Sequence, residues 1–288
     1  MEYKPALPEH NDNVSHDQPF REFIILSAGI TLFLLGVFWI LGFCIDLAVA
    51  RISPGMEAAI FASAGVPGPN AVASSDPRQV KLQSMVDALR ECGGITSPLK
   101  VSLIDSNDAN ALAFPGGRIL VLNGLLENVR SENGLAFVLA HELGHFKNRD
   151  HLRGLGRGIV LTAVAALLTG AGSEVTQLLA PTATFSQAQY SRDREELADE
   201  QALQTLACYY GHVGGATEFF EAMQARDQEI LPGFGHYFST HPEAMERIDN
   251  LHRLTEEQHL AVNAVLALPE ILEKSKSKEQ KAKNKRDR

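Results

Sequence analysis

A run of 23 residues without a charged side chain, Phe23–Ile45, constrains the fold of this chain more than any other feature. Its sequence is FIILSAGITLFLLGVFWILGFCI. As an α-helix that rises about 1.5 Å per residue, the run matches the roughly 30 Å hydrocarbon core of a bilayer with some tilt. The sequence therefore predicts one N-terminal transmembrane helix, which contacts the lipid bilayer through residues 23–45.

A cleavable signal peptide is the rival interpretation of this run, because Ala48-Val49-Ala50 resembles a small-residue cleavage site. The run is longer than the roughly 7–15 apolar residues of a signal core, and mostly polar residues precede it. An uncleaved anchor is therefore favoured. Lys4 and Arg21 precede the span and only Arg51 follows it closely, which favours an inside N-terminus and an outside domain.

Charge is distributed unevenly along the 288 residues, whose net charge is −9. The last segment, EKSKSKEQKAKNKRDR (273–288), carries +5, so the other 272 residues carry −14. An acidic body argues against a nucleic-acid-binding domain. The basic tail has almost no apolar residues, which predicts disorder. A contact of this tail with anionic lipids or with an acidic protein is the alternative to a merely solvated tail.

The composition divides the chain into five predicted segments. They are a polar tail (1–22), the membrane anchor (23–50), a linker rich in Ala, Pro, Gly and Ser (51–78), a folded domain (79–272) and the basic tail (273–288). Helical patterns dominate the domain, and strand-like patterns occupy LKVSLID, ALAF and RILVL between residues 99 and 122. The predicted fold class is α+β, mostly α-helical with a small antiparallel sheet.

The three cysteines, Cys44, Cys92 and Cys208, have no close spacing and do not indicate a disulfide framework. Cys44 lies in the apolar run. A disulfide between Cys92 and Cys208 is possible in an oxidising compartment, although nothing in the sequence requires it.

The stretch AHELGHFKN (140–148) places His141, Glu142 and His145 in a run otherwise suited to burial. On a helix, residues i and i+4 share a face with Cβ atoms about 5–6 Å apart, so two imidazoles can bind one zinc ion. Glu142 lies about 100° round the helix from His141, where a general base for an attacking water belongs. Gly144 would let another segment approach this helix closely. The alternative is a pair of buried, hydrogen-bonded histidines.

A second helical stretch, SRDREELADEQAL (191–203), carries Glu195 and Asp199 on one face. A catalytic zinc site with two histidines needs a third protein ligand and an open position, and Glu195 would supply that ligand. Asp199 could accept a hydrogen bond from the free ring nitrogen of a ligand histidine. Glu196 competes for the ligand position but points about 100° away. The alternative is a solvated face in which these acids pair with neighbouring arginines.

These motifs together resemble the membrane-linked zinc peptidases that include HtpX and the CAAX prenyl proteases. NALAFPGGRILVLNGLL (110–126) is similar to the hairpin of that family, and THPEAMERIDNL (240–251) to its THP motif and the following helix. The motifs cover about residues 79–252 in the family order. The resemblance implies a gluzincin metallopeptidase fold with one zinc ion per chain. The single predicted span is typical of bacterial, envelope-facing members.

The resemblance implies specific roles for the residues of these motifs. His141, His145 and Glu195 would bind zinc, Glu142 would be the catalytic base, and Asp199 would orient a ligand. The family hairpin further implies an edge strand that pairs with an extended polypeptide substrate, formed by Arg118, Ile119, Leu120, Val121 and Leu122.

His241 precedes Pro242, which predicts an extended backbone at this histidine. The hypothesis is that His241 stabilises the developing oxyanion or is a reversible fourth ligand of the metal. The alternative is a structural histidine that caps or packs the C-terminal helices.

The apolar run GIVLTAVAALLTGAG (158–172) lies between the two metal-binding motifs. A membrane span there would place His145 and Glu195 on opposite sides of the bilayer, so a buried helix or a helix at the membrane surface is expected. The implied function is a membrane-anchored zinc metalloendopeptidase that degrades unfolded or damaged proteins at the periplasmic face of a bacterial inner membrane. A zinc-bound chaperone or adaptor with a latent site is the alternative, and a structural zinc domain is another.

Overall fold

The computed structural model describes residues 19–62, 72–179, 191–227 and 244–273. The chain divides into two compact units, Met1–Asp46 and Leu47–Arg288. The first unit contains most of the long helix α1 (Pro19–Arg51), and the second contains all the other described elements. The anchor predicted over residues 23–50 lies wholly within α1. This helix is long and apolar enough to cross a membrane, and its most apolar 18-residue window is 0% buried.

The second unit is mostly helical, as predicted. Its described elements are α2 (Pro54–Ile60), α3 (Pro77–Cys92), β1 (Lys100–Ile104), β2 (Ala111–Phe114), β3 (Arg118–Leu122), α4 (Asn123–Asn128), α5 (Glu132–Lys147), α6 (Asp150–Thr169), α7 (Glu174–Leu179), α8 (Arg192–Tyr210), α9 (Glu218–Asp227) and α10 (Ala244–Glu257).

The three described strands form one small sheet in the order β1-β3-β2. Strands β2 and β3 pair antiparallel, with Ala113 opposite Ile119. Strands β1 and β3 pair parallel, with Val101 opposite Ile119, so the sheet is mixed rather than purely antiparallel. The prediction that Arg118–Leu122 is a free edge is wrong, because neighbours pair with both of its sides. A hairpin in the sequence does not reveal which of its strands will receive a third strand.

Helix α5 lies at the centre of the core, and every residue from Asn133 to Phe146 is buried. The helix begins after Ser131, whose hydroxyl accepts a hydrogen bond from the Gly134 N–H at 2.9 Å and so satisfies one of the unpaired amides of the first turn. Helices α3 and α8 and strand β2 pack around α5. This burial explains the apolar run that leads into AHELGH.

Helices α5 and α8 cross at very short distance where Gly144 faces Ala198. A Cβ atom on Gly144 would lie 3.0 Å from the Ala198 Cα and 3.2 Å from its carbonyl oxygen. Only a glycine therefore lets the two backbones approach this closely, in agreement with the role predicted for Gly144.

Helix α6 is the second described helix that is long and apolar enough to cross a membrane by length and composition alone, with 17% of its apolar window buried. Its C-terminal turns are exposed, and Leu167 has 86% of its surface accessible. The chain reverses after Gly170, and the Thr162 hydroxyl donates to the Leu179 carbonyl at 3.1 Å. The prediction of a buried helix over residues 158–172 is therefore wrong for its C-terminal part. Contact of α6 with a membrane surface stays a prediction.

The predicted linker 51–78 contains a short helix, α2, that is part of the second unit. Ser53 caps it by accepting from the Met56 N–H at 3.2 Å, and Pro54 occupies the first helical turn. The side chain of Glu57 is 1% exposed. Ordered structure in this unit therefore begins before residue 79.

Cys92 at the end of α3 and Cys208 near the end of α8 form a disulfide, with Cα atoms 5.7 Å apart. The bond joins two of the helices that surround α5. Cys44, on α1, is an exposed free thiol.

Replacement of Gly144 by Val should separate α5 from α8. We expect the free energy of unfolding to fall by about 1–3 kcal/mol, because the added methyl groups overpack a filled contact. Thermal unfolding of the full chain in detergent would measure this change. Gly172→Val is the matched control, since a Cβ there meets nothing within 4 Å. Equal effects of the two substitutions would contradict close packing at Gly144.

The disulfide predicts one reactive thiol in the denatured, unreduced chain and three after reduction, countable by mass spectrometry after alkylation. Cys92→Ser should lower the free energy of unfolding by about 2–5 kcal/mol, because the bond closes a long loop in the unfolded chain. Cys44→Ser, the control, should leave it unchanged. Three reactive thiols before reduction would show that the bond is absent.

Candidate metal centre

The two histidines of AHELGH point toward one place because helix α5 is regular through the motif. His141 and His145 are 1% and 0% exposed, and their Nε2 atoms are 3.0 Å apart. Two ring nitrogens this close cannot both offer lone pairs to each other without repulsion. A shared cation or a proton must therefore occupy the space between them.

Helix α8 brings a carboxylate to the same place. The Glu195 Oε2 atom lies 3.4 Å from His141 Nε2, and its Oε1 atom lies 3.3 Å from His145 Nε2. Glu195 is buried, whereas its neighbour Glu196 is exposed. The structure thus favours Glu195 over Glu196 as the third ligand.

The two distances from Glu195 to the histidines match the coordination shell of a zinc ion, and the distance of 3.0 Å between the Nε2 atoms is slightly shorter. Ligand atoms about 2.0–2.1 Å from zinc at tetrahedral angles lie about 3.3–3.4 Å apart. Among the described residues, one group of metal-binding side chains meets this requirement, namely His141, His145 and Glu195, with ligand atoms all within 4.8 Å of one another. Two histidines and one glutamate form an established catalytic zinc set that leaves a fourth position open. The residues therefore fit a zinc ion.

A buried carboxylate stands behind His141. Asp199 Oδ1 lies 2.9 Å from His141 Nδ1, which directs the opposite nitrogen, Nε2, toward Glu195. One turn separates Asp199 from Glu195 on α8, as the sequence predicted. The Asp199 carboxylate is fully buried.

Arg247 of α10 pairs with both carboxylates of α8, a contact that the sequence did not indicate. Its guanidinium reaches Asp199 at 2.5 and 2.8 Å and Glu195 Oε2 at 2.9 Å. Its Nη2 atom also lies 3.0 Å from His141 Nδ1. An Nδ1–H that donates to Asp199 cannot accept from Arg247, so this last approach is a contact and not a hydrogen bond.

Asp150 plays the corresponding role behind His145, and sequence reasoning missed it. Its Oδ2 atom lies 3.1 Å from His145 Nδ1, and Arg194 donates to its Oδ1 atom at 2.9 Å. Asp150 is 1% exposed and begins α6. The available signal was its position in AHELGHFKNRD, five residues after the second histidine.

Charge pairing alters the ionisation of these buried groups. Burial alone would lower the pKa of His145, but its hydrogen bonds to Asp150 and Glu195 outweigh burial and raise that pKa to about 9. Burial would raise the pKa of Asp199, but the charge of Arg247 and the contact with His141 lower it. Before metal binds, a proton on His145 satisfies this acidic pocket, so binding must release it.

Glu142 joins helix α5 to the sheet. It is fully buried, and its Oε2 atom accepts a hydrogen bond from the Ala113 N–H of β2 at 2.8 Å. The carboxylate is therefore held at the outer side of β2. In the sequence it lies between His141 and His145. This placement suits a general base better than a ligand. His241, for which a catalytic role was hypothesised, lies outside the described residues.

Comparison with known proteins follows the same motifs. Residues 76–255 match peptidase family M48, which confirms the predicted resemblance. The mitochondrial metalloendopeptidase OMA1 of Danio rerio is 30% identical over 219 residues, which cover 69% of this chain and 45% of that protein. HtpX protease homologues of Salinibacter ruber and Pyrococcus abyssi are 28% and 26% identical over 60% and 80% of this chain, and 74% and 94% of their own lengths. The chain spans less than half the length of the OMA1 relatives.

Removal of the Arg247 charge should destabilise the metal-free protein. Arg247→Met would leave two buried carboxylates without their counter-charge, at a cost of about 3–5 kcal/mol in the free energy of unfolding. Chemical denaturation in the presence of a chelator measures this loss, and excess zinc should reduce it. Arg253→Met is the control on the same helix, because the Arg253 side chain is 53% exposed. If both variants behave alike, Arg247 does not balance these charges.

Proposed function

Because the chain belongs to peptidase family M48, we propose that it is a membrane-anchored zinc metalloendopeptidase. The observation that carries this proposal is the arrangement of His141, His145 and Glu195 around one point, with Glu142 close enough for its charge to act on His145. A purely structural zinc site has no use for a carboxylate that is close to its ligands but not one of them.

The chemistry follows from the positions of the side chains. When bound, zinc supplies a Lewis acid that polarises a peptide carbonyl and makes water more acidic. Glu142 would take a proton from the attacking water and pass it to the leaving amine. Asp199 and Asp150 would hold the two histidines in the tautomer that presents Nε2 to the metal. Arg247, buried beside the same site, is a candidate donor to the developing negative charge.

We further propose that the substrate pairs with β2 and not with β3. The Leu122 N–H donates to the Asn110 carbonyl at 3.0 Å, so alternate residues of this segment face β3. Ala111 and Ala113 therefore direct their backbone groups to the opposite side, where Ala113 meets Glu142. An extended polypeptide added at this edge would place its own backbone next to the base, and backbone pairing tolerates many side chains.

Unfolded or damaged membrane and envelope proteins are the proposed substrates. Support comes from helix α1, which can anchor the chain in a bilayer, and from the membrane-linked family that the motifs resemble. The proposed location is a bacterial inner membrane with the second unit at the periplasmic face. The bond between Cys92 and Cys208 supports that face, because disulfides persist in the oxidising periplasm and are rare in the cytosol.

Glu142→Gln tests the proposed activity. The full chain in detergent micelles with zinc should cleave a fluorescently labelled, reduced and carboxymethylated protein, and the variant should lose about 100-fold or more of the rate while it retains zinc. Glu196→Gln is the matched control, because it makes the same chemical change at an exposed carboxylate of the second motif. Only the first substitution should abolish cleavage.

A parent chain that is folded, binds zinc and still cleaves nothing would contradict the proposal. In that case the chaperone or adaptor function gains support, and suppression of aggregation of the same unfolded protein becomes the informative measurement. Loss of fold on zinc removal would instead indicate a structural metal site, whereas a catalytic site should mainly lose activity.

A further inference from the structure

A buried carboxylate lies in the short helix that follows the membrane anchor, far from the metal ligands in sequence. Glu57 of α2 is 1% exposed, although this segment was predicted to be a linker. Burial of an ionised carboxylate is costly unless charged partners and hydrogen bonds compensate it. Its contacts therefore indicate what the helix is held against.

The first contact is with the turn between β2 and β3. Glu57 Oε1 accepts a hydrogen bond from the Gly116 N–H at 2.9 Å. Gly116 and Gly117 have φ values of 82° and 73°, a left-handed conformation that glycine adopts without strain. A Cβ on Gly116 would also lie 3.1 Å from the Phe61 Cβ, so the end of α2 closely covers this turn. Strand β2, the proposed substrate edge, ends immediately before it.

The second contact is with the segment that joins α5 to α6. Arg149 donates to Glu57 Oε2 at 2.7 Å and also to the Ile52 carbonyl. Arg149 has φ 60° and ψ 29°, a left-handed conformation that a side chain with a Cβ rarely adopts. His151 Nε2 lies 3.0 Å from Glu57 Oε1, and its ring stacks on Phe146 of α5.

Asp150 lies between these two partners of Glu57. Its carboxylate is the group that meets His145 Nδ1 at 3.1 Å. Left-handed backbone at Arg149 lets α6 begin directly at Asp150, which turns that carboxylate back toward α5. Strained backbone persists only where the surroundings hold it, and the salt bridge between Arg149 and Glu57 is a contact that holds Arg149 in this conformation.

The charge of Glu57 is stable under ordinary conditions. Burial alone would raise its pKa, but the hydrogen bonds and charges of His151, Arg149 and the Gly116 N–H lower it to about 2. The carboxylate thus stays ionised at any pH at which a peptidase would work. Protonation of Glu57 therefore does not weaken its contacts with the turn and with Arg149 in that pH range.

We propose that Glu57 is a positioning residue, which joins the membrane-proximal helix to the substrate edge strand through Gly116 and to the metal ligand His145 through Arg149 and Asp150. This inference rests on the proposed function. It assigns the segment 52–61, which was predicted to be part of a linker, to the catalytic unit.

The test compares Glu57→Ala and Glu57→Gln with the parent, all as full chains in detergent micelles. Readouts are kcat and KM for the labelled unfolded protein, the zinc dissociation constant from competition with a chromophoric chelator, and amide hydrogen exchange at Gly116. Glu57→Ala should weaken zinc binding by roughly 10- to 100-fold, raise KM and speed exchange at Gly116. The reason is that this variant loses both the contact with Gly116 and the contact with Arg149. Glu57→Gln keeps an oxygen that can accept from the Gly116 N–H, but it removes the negative charge that pairs with Arg149. This variant should therefore have the KM of the parent and a weakened zinc affinity.

Glu91→Gln is the matched control, because Glu91 is an exposed carboxylate at the end of α3 and should change none of the readouts. A folded Glu57→Ala chain with KM, zinc affinity and Gly116 exchange equal to those of the parent would overturn the proposal. If Glu57→Ala does not fold, Glu57→Gln decides, and unchanged zinc affinity in that variant overturns the Arg149 branch. A parent that cleaves nothing would count against the proposed function alone. The zinc dissociation constant and the amide exchange at Gly116 would still show whether Glu57 positions these two sites.

Discussion

Close packing of α5 against α8 is the contact on which the metal centre depends. The two histidines come from one helix and the glutamate from the other, so the helices must approach until ligand atoms lie about 3.3–3.4 Å apart. A glycine at position 144, facing Ala198, removes the side chain that would prevent this approach. The disulfide between Cys92 and Cys208 joins α3 to α8, two of the helices that pack around α5.

Burial of so many charges near α5 imposes a second requirement, that the carboxylates around the two histidines have cationic partners. Arg247 compensates Asp199 and Glu195, and Arg194 compensates Asp150. Two of these carboxylates, Asp199 and Asp150, also hold the histidines at Nδ1, one for each ring. Compensation of charge and orientation of the ligands are therefore achieved by one set of contacts, and a divalent cation fits the acidic centre that remains.

Helix α2 adds further contacts to this network within the second unit. Glu57 contacts the turn after β2, which follows the proposed substrate edge. It also contacts Arg149, the residue before Asp150, whose carboxylate meets His145. The outer position of β2 also explains why Glu142 meets the Ala113 amide. The proposed substrate edge, Glu142 and the group of His141, His145 and Glu195 therefore lie close together.

The sequence by itself determined the features that depend on local spacing. The i, i+4 pairs His141/His145 and Glu195/Asp199 share helix faces whatever the fold, and an uncharged run of 23 residues indicates a membrane anchor from its length. Only the tertiary structure decided the features that depend on contacts between distant residues. Arg247 and His141 are 106 positions apart, and Glu57 and Arg149 are 92 positions apart. The central position of β3 likewise depends on where β1 docks, and no local pattern in the chain encodes that choice.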